Sequence, residues 1–598
     1  MIGNQNYADQ FCDWLVELGY THCFLLPGGN IMHLIEAVRT KFECVPVIHE
    51  VSAVIAADYF NETSDTSKAF ALVTAGPGLT NCMSGITGAW LESREVLIIG
   101  GQVKSKDLAS EGLRLRGIQE VDGMSLFKSV TKSSMRIEYP KSKEIVVEKI
   151  ISGNQRRPGP VYIEFCLDAQ GAKPIKKVKK EIDSAYSTES HSFNQSTAIL
   201  EMIKAARRPI ILLGGSVSRV AAKDFIDSLD LIGIPVMTTW NAADRIPSSH
   251  QFNWGRPQTQ GQRSANLLIQ QSDLLVAIGT RLGLQQTGFN WQEFCPLAKV
   301  VQIFEDSNEL AKGHPRIDLA VNENPNVCLS MIKTELLKFV PLDLQEWINF
   351  GTKVRSILPI NEDSNRLDSV NLNPYDFITF LSESLIGDEI VVSSSSGGTF
   401  TLVMQGFTQK SNQKIVSSGA LASMGYAIPG AIGAAFANPN HRVVVVEGDG
   451  SFAQSIQELG TIARSRLPIK IVVIDNNGYG SIKKTQANYF SGEYLGCDYN
   501  SGLGLPNWGK TFEAFGIDYR YIEQNPDLDL DLVSKLLDQN PFGVIVKIDS
   551  AQTFYPRIPN RVQANGDIES SALHEMYPTV EDSIRDITEK YLRERGSL

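Results

Sequence analysis

The chain has no Cys-x-x-Cys pair, no two adjacent histidines and no apolar run approaching the ~20 residues of a membrane span. Its eight cysteines and eight histidines stand scattered, which argues against a zinc site and for reduced thiols in a cytosolic protein. Positive charge is also scarce. A net charge of −11 argues against a nucleic-acid or anionic-membrane partner, either of which favours a basic face. It leaves room for a phosphate-bearing ligand, because a metal ion and helix N-termini can hold phosphate locally. The opening MIGNQNYADQF lacks a basic stretch followed by an apolar one, so a signal peptide is not expected and the expected location is cytoplasmic.

At 598 residues the chain is too long for one core. Three long segments alternate short apolar runs with helical patterns, the pattern of mainly parallel α/β sheets. The first spans 1–172, with strands expected at 23–26, 69–74 and 96–99 and a closing RRPGPVYIEF at 156–165. The second spans 195–345, with strands at 209–213, 236–239, 274–278 and 300–304. The third spans 370–555, with strands at 389–393, 442–447, 469–474 and 543–548. Polar linkers are expected over 173–194 and 361–372, and the polar stretch 556–598 reads as a tail. The first and third segments match in length and alternation, as two related α/β units flanking a third would.

The most informative stretch is VVVVEGDGSFAQSIQELGTIARSRLPIKIVVIDNNGYGSIKK, 443–484. One apolar strand ends in Gly448-Asp449-Gly450-Ser451 and opens a helix with a stripe at Ile456, Leu459, Ile462 and Ala463. A second strand ends in Asp475-Asn476-Asn477-Gly478. Both turns sit at strand C-termini, where open α/β sheets place ligands. Asp449 and Asn476 supply hard oxygen donors suited to Mg²⁺. The glycines let backbone N–H groups of Gly450, Ser451, Tyr479, Gly480 and Ser481 approach phosphate oxygens. GDG alone occurs by chance; GDG and NN, each after an apolar strand, is a strong signal. In this the sequence resembles the thiamine-diphosphate enzyme superfamily. The resemblance implies that Asp449, Asn476 and the carbonyl of Gly478 hold the metal.

Glu50, in PVIHEVSAVIAADYF, opens a helix after an apolar strand. Alone it is a first-turn acid favouring the helix dipole. In the family resembled, a glutamate in an HE motif bonds the aminopyrimidine ring and serves its proton chemistry, and His49-Glu50 fits. Over nearly the whole chain the likeness is closest to the acetohydroxyacid synthase branch. Pro27-Gly28-Gly29 looks like a loop whose Gly29 N–H polarises a substrate carbonyl. VTAGPGLTN, 73–81, is similar to the loop beside the pyrimidine, with Pro77 and Asn81. RLRGIQEVDG, 114–123, places Gln119 at the reaction centre. Ser396, Gly397 and Thr399 stand in the diphosphate loop, and Met424 in LASMGYAIPGAIGA takes the place of the residue that props the cofactor in a V shape. The resemblance further implies at least a homodimer, with Glu50 meeting Asp449 of a partner chain, and a homotetramer where the dimer doubles.

The match departs in places. Thr485 stands where that branch has tryptophan, Asn30 where it has alanine, and 393–399 reads SSSSGGT. The middle segment resembles a flavin-binding domain, with Gly279 and Arg281 as candidate FAD contacts, but Gly283 and Gln285 replace the usual acidic and basic partners. A bare α/β domain without FAD is the alternative. The expected activity is a decarboxylating carboligase that transfers a two-carbon acetyl unit from pyruvate to a carbonyl acceptor. The acceptor is a second 2-oxo acid or a (nucleotide-linked) keto-sugar, and a flavin-linked 2-oxo acid oxidase is a further alternative. Absence of a histidine pair, which simple decarboxylases of the superfamily use for proton handling, favours ligation.

Overall fold

The computed structural model describes residues 5–175, 196–338, 342–562 and 568–596. The expected linker over 173–194 lies mostly outside them. Three parallel sheets follow one another along the chain. The first holds β1 (Tyr20–Leu25), β2 (Glu43–Pro46), β3 (Lys68–Val73), β4 (Leu97–Gln102), β5 (Ser133–Ile137) and β6 (Val161–Cys166). The second holds β7 (Pro209–Leu213), β8 (Val236–Thr238), β9 (Leu274–Ile278), β10 (Lys299–Ile303) and β11 (Leu319–Val321). The third holds β12 (Ile390–Ser393), β13 (Lys414–Val416), β14 (Val443–Gly448), β15 (Ile469–Asp475), β16 (Asp518–Ile522) and β17 (Phe542–Lys547). Strand orders are β2-β1-β3-β4-β6-β5, β11-β10-β9-β7-β8 and β13-β12-β14-β15-β17-β16. Counted from its own first strand, the third sheet has the order of the first, which bears out the likeness of the two segments. Central strands such as β4, β6, β7, β9 and β15 are buried on both faces, so their sequences run apolar without alternation.

The strands that the sequence left without bounds are β2, β5, β11, β13 and β16, each an outermost strand of its sheet. An outer strand pairs on one side only and need not be apolar on both faces. A second departure concerns the helix expected directly after Gly448. One turn, Asp449–Phe452, is followed by a break, a 3₁₀ turn at Ile456–Glu458, and then a helix over Leu459–Ser465. Nor is the polar stretch after 555 a loose tail. Its helices Asp582–Thr588 and Lys590–Gly596 rest on the middle sheet's layer, where Tyr591 packs edge-on against Trp347 and Phe350 and Gln271 Nε2 donates to Thr588 O at 2.8 Å.

The first and third sheets share one core. The helix Glu50–Thr63 is buried around most of its circumference, because its own sheet covers one side and the helix Ala427–Ala437 the other. That second helix, AIPGAIGAAFA, is built mostly from small residues, and a Cβ on Gly433 would strike the Ala56 carbonyl oxygen. The helices therefore touch backbone to backbone. A buried charge network ties in the middle sheet: Arg94 pairs with Asp58 and Glu62, Arg219 with Glu62 and Asp244, and Asp244 accepts from the Ile415 N–H at 2.9 Å.

Candidate functional site

In each of the three sheets the strand order reverses beside the first strand in sequence, between β1 and β3, β7 and β9, and β12 and β14. Loops leaving such strands part in opposite directions and open a crevice at their C-terminal ends. In the third sheet, Asp449 leaves β14 and is 2 % exposed. Its Oδ1 accepts from Gly450 N and its Oδ2 from Gly478 N, both at 2.8 Å. With its amide nitrogen turned inward, Asn476 would donate to Gly478 O at 2.8 Å and to Asp449 Oδ1 at 3.2 Å. With its oxygen inward, as placed here, three oxygens converge, from one carboxylate, one amide and one carbonyl. That is a donor set a hard divalent cation takes. Burial, and then the neighbouring Asp475 carboxylate, raise the Asp449 pKa well above the ordinary range, as expected of a buried acid with no counter-charge.

The phosphate-cradle candidates gather around this point. Gly450 lies under the Tyr479 ring, where a side chain would clash. Ser451 Oγ donates to Glu447 Oε1 at 2.6 Å and accepts from Gly425 N at 2.9 Å, while burial pushes the Glu447 carboxyl up to about 7. Thr399 stands against Gly448, Gly397 faces Ser481 and Gly480 faces the Asn476 amide. Ser396 caps the helix Gly397–Gly406 with extended backbone. Met424 is half-buried beside the same turn, its sulfur 3.8 Å from Gln454 Nε2.

In the first sheet, Glu50 is 7 % exposed at the N-terminus of its helix, and its Oε2 accepts from Asn81 Nδ2 at 2.9 Å. Asn81 ends the one-turn helix Pro77–Thr80. Gly76, just before it, packs against Gln119, which sits at φ 61° and is exposed. Gly28 packs against Thr74, whose hydroxyl is buried without a partner, and Gly29 opens to solvent. Thus Glu50, Gly29, Pro77, Asn81 and Gln119 cluster at one sheet end, and the third-sheet candidates cluster at another. Among the described residues, no third-sheet residue bonds to the Glu50 carboxylate.

A residue that sequence reasoning passed over joins the two sheets. Glu458 is fully buried, and its carboxylate accepts from the N–H groups of Ile48 and His49 at 3.1 Å each, fixing the turn that precedes Glu50. Asp475 was passed over too. It accepts from Asn477 N at 3.1 Å and pairs with Lys547, so it shapes the NN turn. Asp475, at the end of a mostly apolar strand, was readable as an acid in an expensive placement without a partner, whereas Glu458, among Gln454, Ser455 and Gln457, was not.

At the middle switch point, Gly279 and Arg281 line a cavity of about 130 Å³ together with Gly215, Ser216 and Trp240. A neighbouring cavity of about 650 Å³ shares Gly215, Ser216 and Asn241. The larger one lies within the usual range of ligand pockets, roughly 300–1,000 Å³. The Trp240 indole nitrogen is buried without a partner, and Arg281 has no acidic partner among the described residues. Arg281 and Trp240 line only the smaller cavity, and they fit a polar group such as a phosphate.

Three family models match successive parts of the chain: the N-terminal thiamine pyrophosphate (TPP) binding domain of thiamine pyrophosphate enzymes over 5–126, their central domain over 196–332, and their C-terminal TPP binding domain over 396–546. The chain is 27% identical over 552 residues to the acetolactate synthase large subunit of Lactococcus lactis, covering 91% of this chain and 93% of that one. It is 28% identical over 561 residues to that of Porphyra purpurea (91% and 92%) and 25% identical over 544 residues to acetolactate synthase isozyme 1 of Escherichia coli (89% and 92%). No helix among the described residues is long and apolar enough to cross a membrane.

Proposed function

Because this chain belongs to the thiamine pyrophosphate enzyme family, we propose that it is a decarboxylating carboligase, moving a two-carbon acetyl unit from pyruvate to a carbonyl acceptor. The observation that carries this reading is the convergence of the Asp449, Asn476 and Gly478 oxygens in a chain that also buries Glu50 against Asn81. Thiamine diphosphate, when bound, supplies the carbon nucleophile and the electron sink that let a 2-oxo acid lose CO₂.

The chain's own groups divide the remaining work. Asp449, Asn476 and Gly478 hold Mg²⁺, and the N–H groups of the Ser396–Thr399, Gly450–Ser451 and Tyr479–Ser481 turns hold the diphosphate. Met424 would support the cofactor from beneath, and Pro77 and Asn81 would line its pyrimidine. Glu50, buried and bonded to Asn81, would hydrogen-bond the aminopyrimidine ring and serve its proton chemistry. Gly29 N–H and Gln119 face the reacting carbonyl. FAD would sit in the middle crevice as a structural group, with Gly279 and Arg281 toward its phosphates.

Glu50 makes no bond to the third-sheet cluster of its own chain, which supports completion of the site by a second copy. Neither Glu50→Gln nor Asp449→Ala chains should be active alone, yet coexpressed they should recover about a quarter of wild-type activity, from the one intact site of each hybrid dimer. No recovery overturns the shared site. For the reaction, CO₂ release and product mass spectrometry with pyruvate and a panel of acceptors are decisive. Acetolactate from pyruvate alone identifies a 2-oxo acid acceptor. CO₂ release that accelerates only with a keto-sugar identifies the other, which the polar Thr485 and Asn30 favour. Bleaching of a bound flavin by pyruvate makes the protein an oxidase, and no CO₂ under any condition removes pyruvate as donor.

A further inference from the structure

Lys483 and Lys484 are neighbours with opposite circumstances. Lys483 pairs with Asp498 at 2.8 Å. Lys484, one turn along the helix Gly480–Tyr489 and beside Thr485, has no carboxylate partner among the described residues. Its Nζ lies 4.4 Å from the centre of the Tyr555 ring and donates to the Tyr555 hydroxyl at 3.4 Å. The guanidinium of Arg557 stands 5.9 Å from the centre of the same ring. It too lacks an acidic partner among the described residues, and its Nε is buried without a hydrogen-bond acceptor. Burial, and then the charge of Arg557, bring the Lys484 ammonium down to about 8.

The Tyr555–Arg557 segment is held firmly. Tyr555 N donates to Asn365 Oδ1 at 2.8 Å, and Asn365 Nδ2 donates back to Tyr555 O at 2.9 Å. Gln405 Nε2 reaches Pro556 O at 3.1 Å. Arg557 and Tyr577 exchange backbone hydrogen bonds of 3.1 and 2.8 Å. Phe554 lies directly on Gly398 of the Ser396–Thr399 turn, so the two cations border the third-sheet crevice. Two like charges, partly desolvated and fixed beside one ring, are unfavourable alone and become favourable once an anion answers them.

We infer that Lys484 and Arg557 form an oxyanion subsite that takes the phosphate of the carbonyl acceptor, so that the acceptor is a diphosphate-bearing keto compound, for which a nucleoside diphosphate is the probe, and not a bare 2-oxo acid. The inference rests on the carboligase reading above. Its physical content is a match of charge: two cations suit a phosphate or diphosphate, whereas the carboxylate of a 2-oxo acid brings one negative charge.

The test is protection of Lys484 in the holoenzyme, loaded with thiamine diphosphate and excess Mg²⁺ in chloride at constant ionic strength. Limiting amine acylation near pH 8, read by peptide mass spectrometry, is titrated with inorganic phosphate and with nucleoside diphosphates. Half-protection by one nucleoside diphosphate at a concentration at least tenfold below that of phosphate is expected, and Arg557→Gln should raise that concentration at least tenfold. Equal protection by phosphate alone overturns the acceptor as the source of the anion, and no protection by either overturns the subsite. Should Arg557→Gln fail to fold, Lys484→Gln on its solvent-facing helix, titrated by calorimetry with the same nucleoside diphosphate, should bind at least tenfold more weakly; unchanged binding overturns the subsite. CO₂ release from pyruvate is recorded on the same preparation. Release without protection sinks only the subsite, whereas protection with no release, even with the panel of carbonyl acceptors present, sinks only the reading of a carboligase that takes pyruvate as donor.

Discussion

The first and third sheets repeat one strand order but equip their crevices in opposite ways. The third gathers oxygens and glycine turns around Asp449. The first carries a single carboxyl, Glu50, on a helix buried between two domains, with Asn81 as its hydrogen-bond partner. Identical topology thus frames a cluster of oxygens and glycine turns in one place and a single buried carboxyl in the other. The sheet order decides where a crevice opens, and the residues leaving the strands decide its chemistry.

Four measurements break or sharpen that contrast, in order of expected size. Glu50→Gln keeps the shape and the Asn81 contact while removing the ionisable carboxyl. Turnover should fall by about 10²–10⁴-fold with the melting temperature nearly unchanged, and near-normal turnover would remove Glu50 from the chemistry. Asp449→Ala takes away the carboxylate of the convergent oxygens. Loss of a group supporting a metal ligand costs about 10–100-fold, so loss of a ligand should weaken Mg²⁺-dependent thiamine diphosphate binding by at least about 100-fold in equilibrium titration. Unchanged affinity would move the metal elsewhere.

Gly433→Ala places a methyl group against Ala56 O, where the two crevices' helices meet. Overpacking of this kind costs about 1–3 kcal/mol, and a melting curve indistinguishable from wild type would show that the helices can separate without loss. The smallest effect is a proton. Asp449's pKa is raised in the folded metal-free protein, so above the ordinary aspartate value of about 4 the unfolded chain loses this proton before the folded one does. Metal-free stability should therefore decline as pH rises from there toward the raised value. Mg²⁺ should cancel the decline and release a proton on binding, read by calorimetry in buffers of different ionisation enthalpy. Uptake without proton release would mean that Asp449 is already ionised.

Much of this was legible in the sequence, for identifiable reasons. The central strands at 209–213 and 274–278 coincide with β7 and β9, because strands buried on both faces must be apolar throughout. Outer strands such as β5 and β16 carry half-polar sequences and escaped. The continuous helix expected after Gly448 failed because its apolar stripe, read through residues 453–455, belongs to a separate helix. Asp449, Asn476 and Gly478 were nameable from a local pattern, and the structure brings their oxygens together. Glu458, Lys484 and Arg557 were not nameable, since each takes its meaning from a residue far away in the chain: Ile48 and His49 for the first, Tyr555 between the other two.

By itself, then, the sequence determined the succession of three parallel α/β units, the two turns that follow β14 and β15, and the acid that opens the helix after β2. These depend on short-range periodicity and on residue types at strand ends, which are properties of a few consecutive residues. The tertiary structure alone decided that the two six-stranded sheets share a core, that Glu458 fixes the turn before Glu50, and that two cations stand beside Tyr555 with no carboxylate partner among the described residues. Such features depend on burial and on charges meeting across hundreds of residues, and no local pattern encodes which distant group will come to lie within a hydrogen bond's length.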